Sequence, residues 1–144
     1  MQKFVIITGG SSGIGRHLVH AFAAGGYDVA FTHLGKMDAA DEVVQDVAHH
    51  GARVIGHDTD VADSAAVAGF LDQAISWAGQ APDVLINNAG YGAMGPLLDG
   101  GVPAMQRQFE TNVFSIVGVT RALFPVLRPP IHVVNQPGTA GQAG

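Results

Sequence analysis

Along the chain, short unbroken apolar runs of the kind buried strands show give way again and again to apolar residues spaced by three and four, the period of a helix. Lys3 to Thr8 is a short β-branched run. Gly9-Gly10-Ser11-Ser12-Gly13 interrupts it, and Ile14 to Ala24 then carries Ile14, Leu18, Ala21 and Phe22 at helical spacing, closed by Gly25-Gly26. Tyr27 to Thr32 predicts a second strand. Met37 to His50 predicts a helix with Val43, Val44 and Val47 inward and Gly51 as its stop, and Arg53 to Gly56 a third strand. Asp63 or Ser64 is placed to cap a helix through Ala78, whose stripe is Val67, Phe70, Leu71, Ala74 and Ile75.

After Pro82-Asp83, the run Val84-Leu85-Ile86 predicts a buried fourth strand leading into Asn87-Asn88-Ala89-Gly90, and a Gly-rich connection follows through Gly101. Two helices come next, Val102 to Glu110 and Asn112 to Leu127. The second is apolar nearly all round and is expected to be covered on two sides. Arg128-Pro129-Pro130 breaks it, and Ile131 to Val134 predicts a fifth strand. Strands alternating with helical crossovers imply an α/β fold: a doubly wound, Rossmann-like parallel sheet of about five strands with helices on both faces. Ligands of such a sheet bind beyond the carboxyl ends of the strands, where the strand order reverses. Residues 1–135 read as one domain of this kind and 136–144 as a Gly-rich tail.

Composition narrows the partners. The 144 residues are 47% hydrophobic but only 13% charged, against about 25% in ordinary globular chains, so the surface is poor in charge or partly covered by another chain. A net charge of −5 leaves no basic field for a phosphate backbone, and nucleic acid is not an expected partner. No apolar run is long enough for a membrane span or a signal-peptide core, so the expectation is a soluble, cytoplasmic protein. Cysteine is absent, which removes disulfides, thiolate metal sites and cysteine nucleophiles and fits a reducing compartment. The seven histidines, among them the neighbouring pairs His17 with His20 and His49 with His50, show no recognised ligand spacing, so no metal is expected.

The chemistry concentrates at Thr8-Gly9-Gly10-Ser11-Ser12-Gly13-Ile14-Gly15, between the first strand and the first helix. Glycines there permit positive φ and close backbone approach. The free N–H groups of the first helical turn, at the positive end of its dipole, attract a pyrophosphate, and Ser11 and Ser12 add hydroxyl donors. The alternative is a merely tight turn; a P-loop is excluded because no Gly-Lys-Ser/Thr follows.

With this turn the sequence resembles the short-chain dehydrogenase/reductase family, whose T-G-x-x-x-G-I-G pattern is matched from Thr8 to Gly15. Asp60-Val61 after the third strand, Asn87-Asn88-Ala89-Gly90 after the fourth and Asn112 in Thr111-Asn112-Val113 match further family motifs in order. The resemblance implies a nicotinamide dinucleotide. Asp60 would accept from the adenine amino group, the Val61 backbone would recognise the ring, and Asn87, Ala89 and Gly90 would line the ribose and nicotinamide region. Capping by Asp60, and strand-tying by Asn87, are the structural alternatives. The NAD-selecting carboxylate expected at the end of the second strand is replaced by His33, with Lys36 nearby, which favours NADP; Ser12 and Leu34 add no charge, and NAD stays open.

The same resemblance implies hydride transfer between nicotinamide and a carbonyl or alcohol, using a Tyr tuned by a Lys four residues later and a Ser. Neither Tyr27 nor Tyr91 stands in that spacing to Lys3 or Lys36, and Gly138 falls at the Ser position beside Thr139. Of the catalytic tetrad only Asn112 remains, so the chain is expected to stop before the catalytic helix and to be catalytically incomplete. Gly92 to Gly101, with Met94, Leu97 and Leu98, reads either as loop packing or as a wall for a small apolar carbonyl or alcohol substrate. In relatives the helices after the fourth strand form subunit contacts, which together with an open fifth strand predicts a homo-oligomer. Two other readings remain: a non-catalytic dinucleotide-binding or interaction module, and a fragment without independent function.

Overall fold

Phe4-Val5-Ile6-Ile7 are all fully buried, because β1 (Lys3–Ile7) runs through the middle of a sheet covered on both faces. The computed structural model describes residues 2–91, 97–127 and 129–136. In chain order β1 is followed by α1 (Gly13–Ala24), β2 (Tyr27–His33), α2 (Met37–Val47), β3 (Val54–Asp58), α3 (Ser64–Ala78), β4 (Val84–Asn87), α4 (Leu97–Phe109), α5 (Ser115–Leu123) and β5 (His132–Asn135). The five strands lie in the order β3-β2-β1-β4-β5 and every neighbouring pair is parallel. The order reverses between β1 and β4.

Alternation along the strands divides the core. Phe4, Ile6 and Leu85 face α3 and α5, meeting Phe70, Leu71, Val119 and Leu123. Val5, Ile7 and Phe31 face α1 and α2, meeting Val19, Ala23, Val43 and Val47. This is the doubly wound parallel sheet the sequence pattern implies, with strands buried on both sides and therefore apolar without interruption.

Five local features depart from the sequence pattern. In α1 the buried line is Gly15, Val19 and Ala23, while Ile14, Leu18 and Ala21 line an open groove with Gly13 and His17. Gly15 sets this rotation: a Cβ on it would sit 1.8 Å from the Gly9 carbonyl oxygen, so this residue must face the preceding turn. β3 continues past Gly56 to Asp58 because pairing with β2 persists through Thr32↔His57 and His33↔Asp58. Helical backbone begins at Leu97 rather than Val102, with a break at Gly101 (φ 57°). A π-turn over Glu110–Phe114 then joins α4 to α5 instead of the expected interruption at Thr111.

The fifth departure is coverage. The helix expected to be enclosed on two sides packs on one: Val119 and Leu123 enter the core, whereas Phe114, Val117 and Phe124 are 61%, 55% and 73% exposed. All four residues of β5, at the sheet edge, are exposed. Among the described residues no helix is long and apolar enough to cross a membrane.

Candidate functional site

The carboxyl ends of β1 and β4 meet where the strand order reverses, and the segments leaving them are bonded into one unit. Thr8 Oγ1 accepts from the backbone N–H groups of Asn88 and Ala89, both at 3.0 Å. The Asn88 amide donates back to the carbonyls of Thr8 (3.2 Å) and Gly9 (3.0 Å). On the other flank Gly9 N–H donates to Thr32 Oγ1 at 3.0 Å and Gly10 N–H to the Thr32 carbonyl at 2.9 Å. The Gly-rich turn is thus held from β2 and from β4 together.

Its glycines are required by contact as well as by φ. Gly9 (φ 73°) lies where a Cβ would be 2.9 Å from Ala89 Cα, and a Cβ on Gly10 would fall 2.6 Å from the Phe31 side chain. Gly13, at φ 55°, opens α1. The N-cap is Ser12, extended and exposed, and its side chain makes no capping bond. The orphan amides of the first turn therefore stay unclaimed by this residue, beside a cradle that side chains at Gly9, Gly10 or Gly15 would fill. Ser11 and Thr8 are buried, Ile14 half-buried.

On the β3 side, Val61 is buried and Asp60 exposed. Asp60 Oδ1 accepts from Ala62 N–H at 2.9 Å, closing its own turn, while the cap of α3 is Asp63, which accepts from Ala65 and Ala66. His33 is buried; its Nδ1 lies 3.2 Å from the Lys36 N–H, which donates to it, and 4.0 Å from Asp58 Oδ1. The neighbouring His57 has its pKa lowered from the ordinary histidine value, first by burial and then by His33.

At the β4 end, Asn87 is buried and its amide donates to Asn135 Oδ1 (3.0 Å) and Thr120 Oγ1 (3.3 Å), tying β4 to β5 and α5. Gly90 is exposed. Asn112 sits in the π-turn and grips the Tyr91 backbone both ways, accepting from its N–H at 2.9 Å and donating to its carbonyl at 2.7 Å. π-turns of this kind are frequent at functional sites. Met94, Gly138 and Thr139 lie outside the described residues, as do the side chains of Leu97 and Leu98. Among the described residues no three of His, Asp and Glu gather as metal ligands.

Of the residues the sequence singles out, Thr8, Gly9, Gly15 and Ala89 lie together in space, and Thr32, Asn88 and Asp58, which it does not single out, lie beside them. The first two act through side-chain bonds to the Gly-rich turn, which only the strand neighbours reveal. Asp58 follows Gly56-His57, a stretch whose composition reads as a loop.

A parallel sheet whose order reverses beside a glycine turn and a helix N-terminus defines the doubly wound class. A sequence model of the short chain dehydrogenase family matches residues 3–142. The chain belongs to that family. It is 33% identical over 138 residues to an uncharacterized oxidoreductase of Bacillus subtilis, YhxC, covering 92% of this chain and 47% of the relative. A short chain dehydrogenase from Burkholderia cenocepacia, solved in complex with NADP, superposes with a TM-score of 0.87 at 32% identity over 92% of this chain and 54% of that one. A 7alpha-hydroxysteroid dehydrogenase complexed with NADH and 7-oxo glycochenodeoxycholic acid superposes with a TM-score of 0.78 at 32% identity, covering 86% of this chain and 48% of that one. The chain spans about half the length of the curated relatives it matches.

Proposed function

We propose that these 144 residues form the dinucleotide half of an oxidoreductase that moves hydride between a nicotinamide and a small apolar carbonyl or alcohol. The observation that carries this reading is the Gly-rich turn at the reversal point, fixed from both sides and followed by a first helical turn whose amides its own N-cap leaves free. Gly9, Ser11, Ser12, Gly13, Ile14 and Gly15 hold the pyrophosphate, Thr8 keeping the turn in place. Asp60 and Val61 receive the adenine, and Asn87, Ala89 and Gly90 line the ribose and nicotinamide end, where Asn87 acts through the strands it ties. His33 stands at the adenosine ribose, and the lack of a carboxylate there is the sequence argument for NADP over NAD. Bound nicotinamide supplies or accepts the hydride.

Asn112 is a positioning residue, fixing the Tyr91 backbone beside that end of the site. No Tyr-x-x-x-Lys occurs in the 144 residues, so proton transfer falls to groups outside them and the chain by itself binds without turning over. The exposed apolar stripe of Phe114, Val117 and Phe124 is the surface by which copies associate.

Ser12→Asp tests the pyrophosphate seat. Aspartate is as good an N-cap as serine and its charge suits a helix N-terminus, so folding should be unchanged or improved. The same charge repels a diphosphate. Calorimetric titration with NADH and NADPH is expected to show at least a tenfold weaker Kd for the variant with an unchanged or raised Tm. Equal affinity for variant and parent, or no binding by the parent, refutes the reading.

A further inference from the structure

The last residues of β2 and β3 are register partners, His33↔Asp58, and their side chains have exchanged the roles that position alone suggests. The His33 side chain is 2% exposed, and its Nδ1 is occupied as an acceptor of the Lys36 N–H. Turned inward in this way, His33 offers almost no surface to a phosphate at this edge of the sheet.

Asp58 is the opposite case. Its side chain is half exposed, and Oδ1 accepts from Gly35 N–H at 2.8 Å across the β2–α2 turn. Oδ2 has no hydrogen-bond partner among the described residues. Gly35 holds this turn at φ 63°, with open space on the side a Cβ would occupy. The carboxylate that position 33 lacks is thus supplied from the adjoining strand, 4.0 Å from His33 Nδ1. Of the charged groups at this corner, Lys36 is positive while Asp58 and Asp60 are negative.

Resting on the dinucleotide reading above, we infer that Asp58 sets cofactor choice: its carboxylate accepts from the hydroxyls of the adenosine ribose and repels a 2′-phosphate, so that the site takes NAD(H) in preference to NADP(H). A carboxylate at the adenosine ribose is the general device for that discrimination. Here it comes from β3, which reverses the lean toward NADP that His33 suggests.

The test measures Kd for NADH and NADPH with the parent chain and with Asp58→Asn, which keeps the acceptor for Gly35 N–H while removing the charge. The parent should bind NADH at least tenfold more tightly than NADPH, and the variant should narrow that ratio at least fivefold, chiefly by gaining NADPH affinity. ADP against adenosine 2′,5′-bisphosphate gives a second reading confined to the adenosine end and needs no variant; ADP should bind the parent more tightly. NADPH binding the parent as well as NADH, the bisphosphate binding it as well as ADP, or a ratio that Asp58→Asn leaves unchanged, overturns the assignment while leaving the dinucleotide reading intact. Failure of every nucleotide to bind overturns both.

Discussion

The two sides of the reversal point are built to different standards of closure. On the β1–β2 side, strands are buried on both faces and the turns beyond them are bonded to one another. On the β4–β5 side, β5 is exposed along its length, and α5 with its flanking turns shows Phe114, Val117 and Phe124 to solvent. The contrast is one of partners rather than of composition, since both sides are rich in apolar residues. It teaches that the Gly-rich turn is held by contacts the described residues already contain, whereas Phe114, Val117 and Phe124 are left largely uncovered by them.

The sharpest way to break that comparison is to remove one aromatic ring from each side. Phe31 is fully buried beneath the Gly-rich turn, so close that a Cβ on Gly10 or Gly56 would collide with its ring. Phe31→Ala is expected to cost about 3–5 kcal/mol. Phe124, 73% exposed, should tolerate Phe124→Ala within about 0.5 kcal/mol while association of copies weakens. Urea unfolding and light scattering check both; a loss at Phe124 as large as at Phe31 would erase the distinction between the two sides.

A smaller perturbation isolates the turn itself. In an open helix position Gly→Ala gains up to about 1 kcal/mol of helix propensity. At Gly15 the added methyl meets the Gly9 carbonyl oxygen at 1.8 Å and the Asn88 amide at 2.5 Å, and overpacking of this kind costs about 1–3 kcal/mol. Gly15→Ala should therefore lower stability by about that much and abolish dinucleotide binding. At Gly118 in α5, where an added Cβ meets nothing within 4 Å among the described residues, the same change should raise stability by up to about 1 kcal/mol. Paired thermal melts that shift in the same direction would show that the turn has room that its geometry denies.

The sequence pattern reached the strand order's consequences without the strand order. Unbroken apolar runs such as Phe4-Val5-Ile6-Ile7 announce strands covered twice, and the glycine spacing from Gly9 to Gly15 locates the turn. What it missed depends on register. Asp58 is adjacent to His33 only because β3 pairs two residues further than its composition suggests, and Asn88 reaches Thr8 only because β4 lies beside β1. In α1 the spacing of Ile14, Leu18, Ala21 and Phe22 marks a helix without stating its inward line: Leu18 and Phe22 pack at the margin of the core, while the buried line is Gly15, Val19 and Ala23, set by the contact of Gly15 with Gly9. Coverage of α5 was likewise beyond the pattern, since an apolar residue does not state which neighbour covers it.

The smallest expected effect sharpens the comparison from within the closed side, where His57 is a polar residue left incomplete. Its Nε2 is buried without a hydrogen-bond partner among the described residues, and its ring stands against Phe70 with centroids 5.3 Å apart. Burial, and secondarily His33, lower its pKa in the folded chain. The unfolded chain then binds more protons than the folded one in the window just below the ordinary histidine value of about 6.5. Stability from this source is complete above that value, falls as the pH drops through it, and stops falling below the depressed folded pKa. His57→Phe keeps the aromatic contact and removes both the proton and the orphan nitrogen. The variant should match the parent or slightly exceed it at pH 8 and gain on it steadily toward pH 5. Parallel Tm curves over that range would mean that water reaches the ring and that this side of the sheet is less closed than its strands imply.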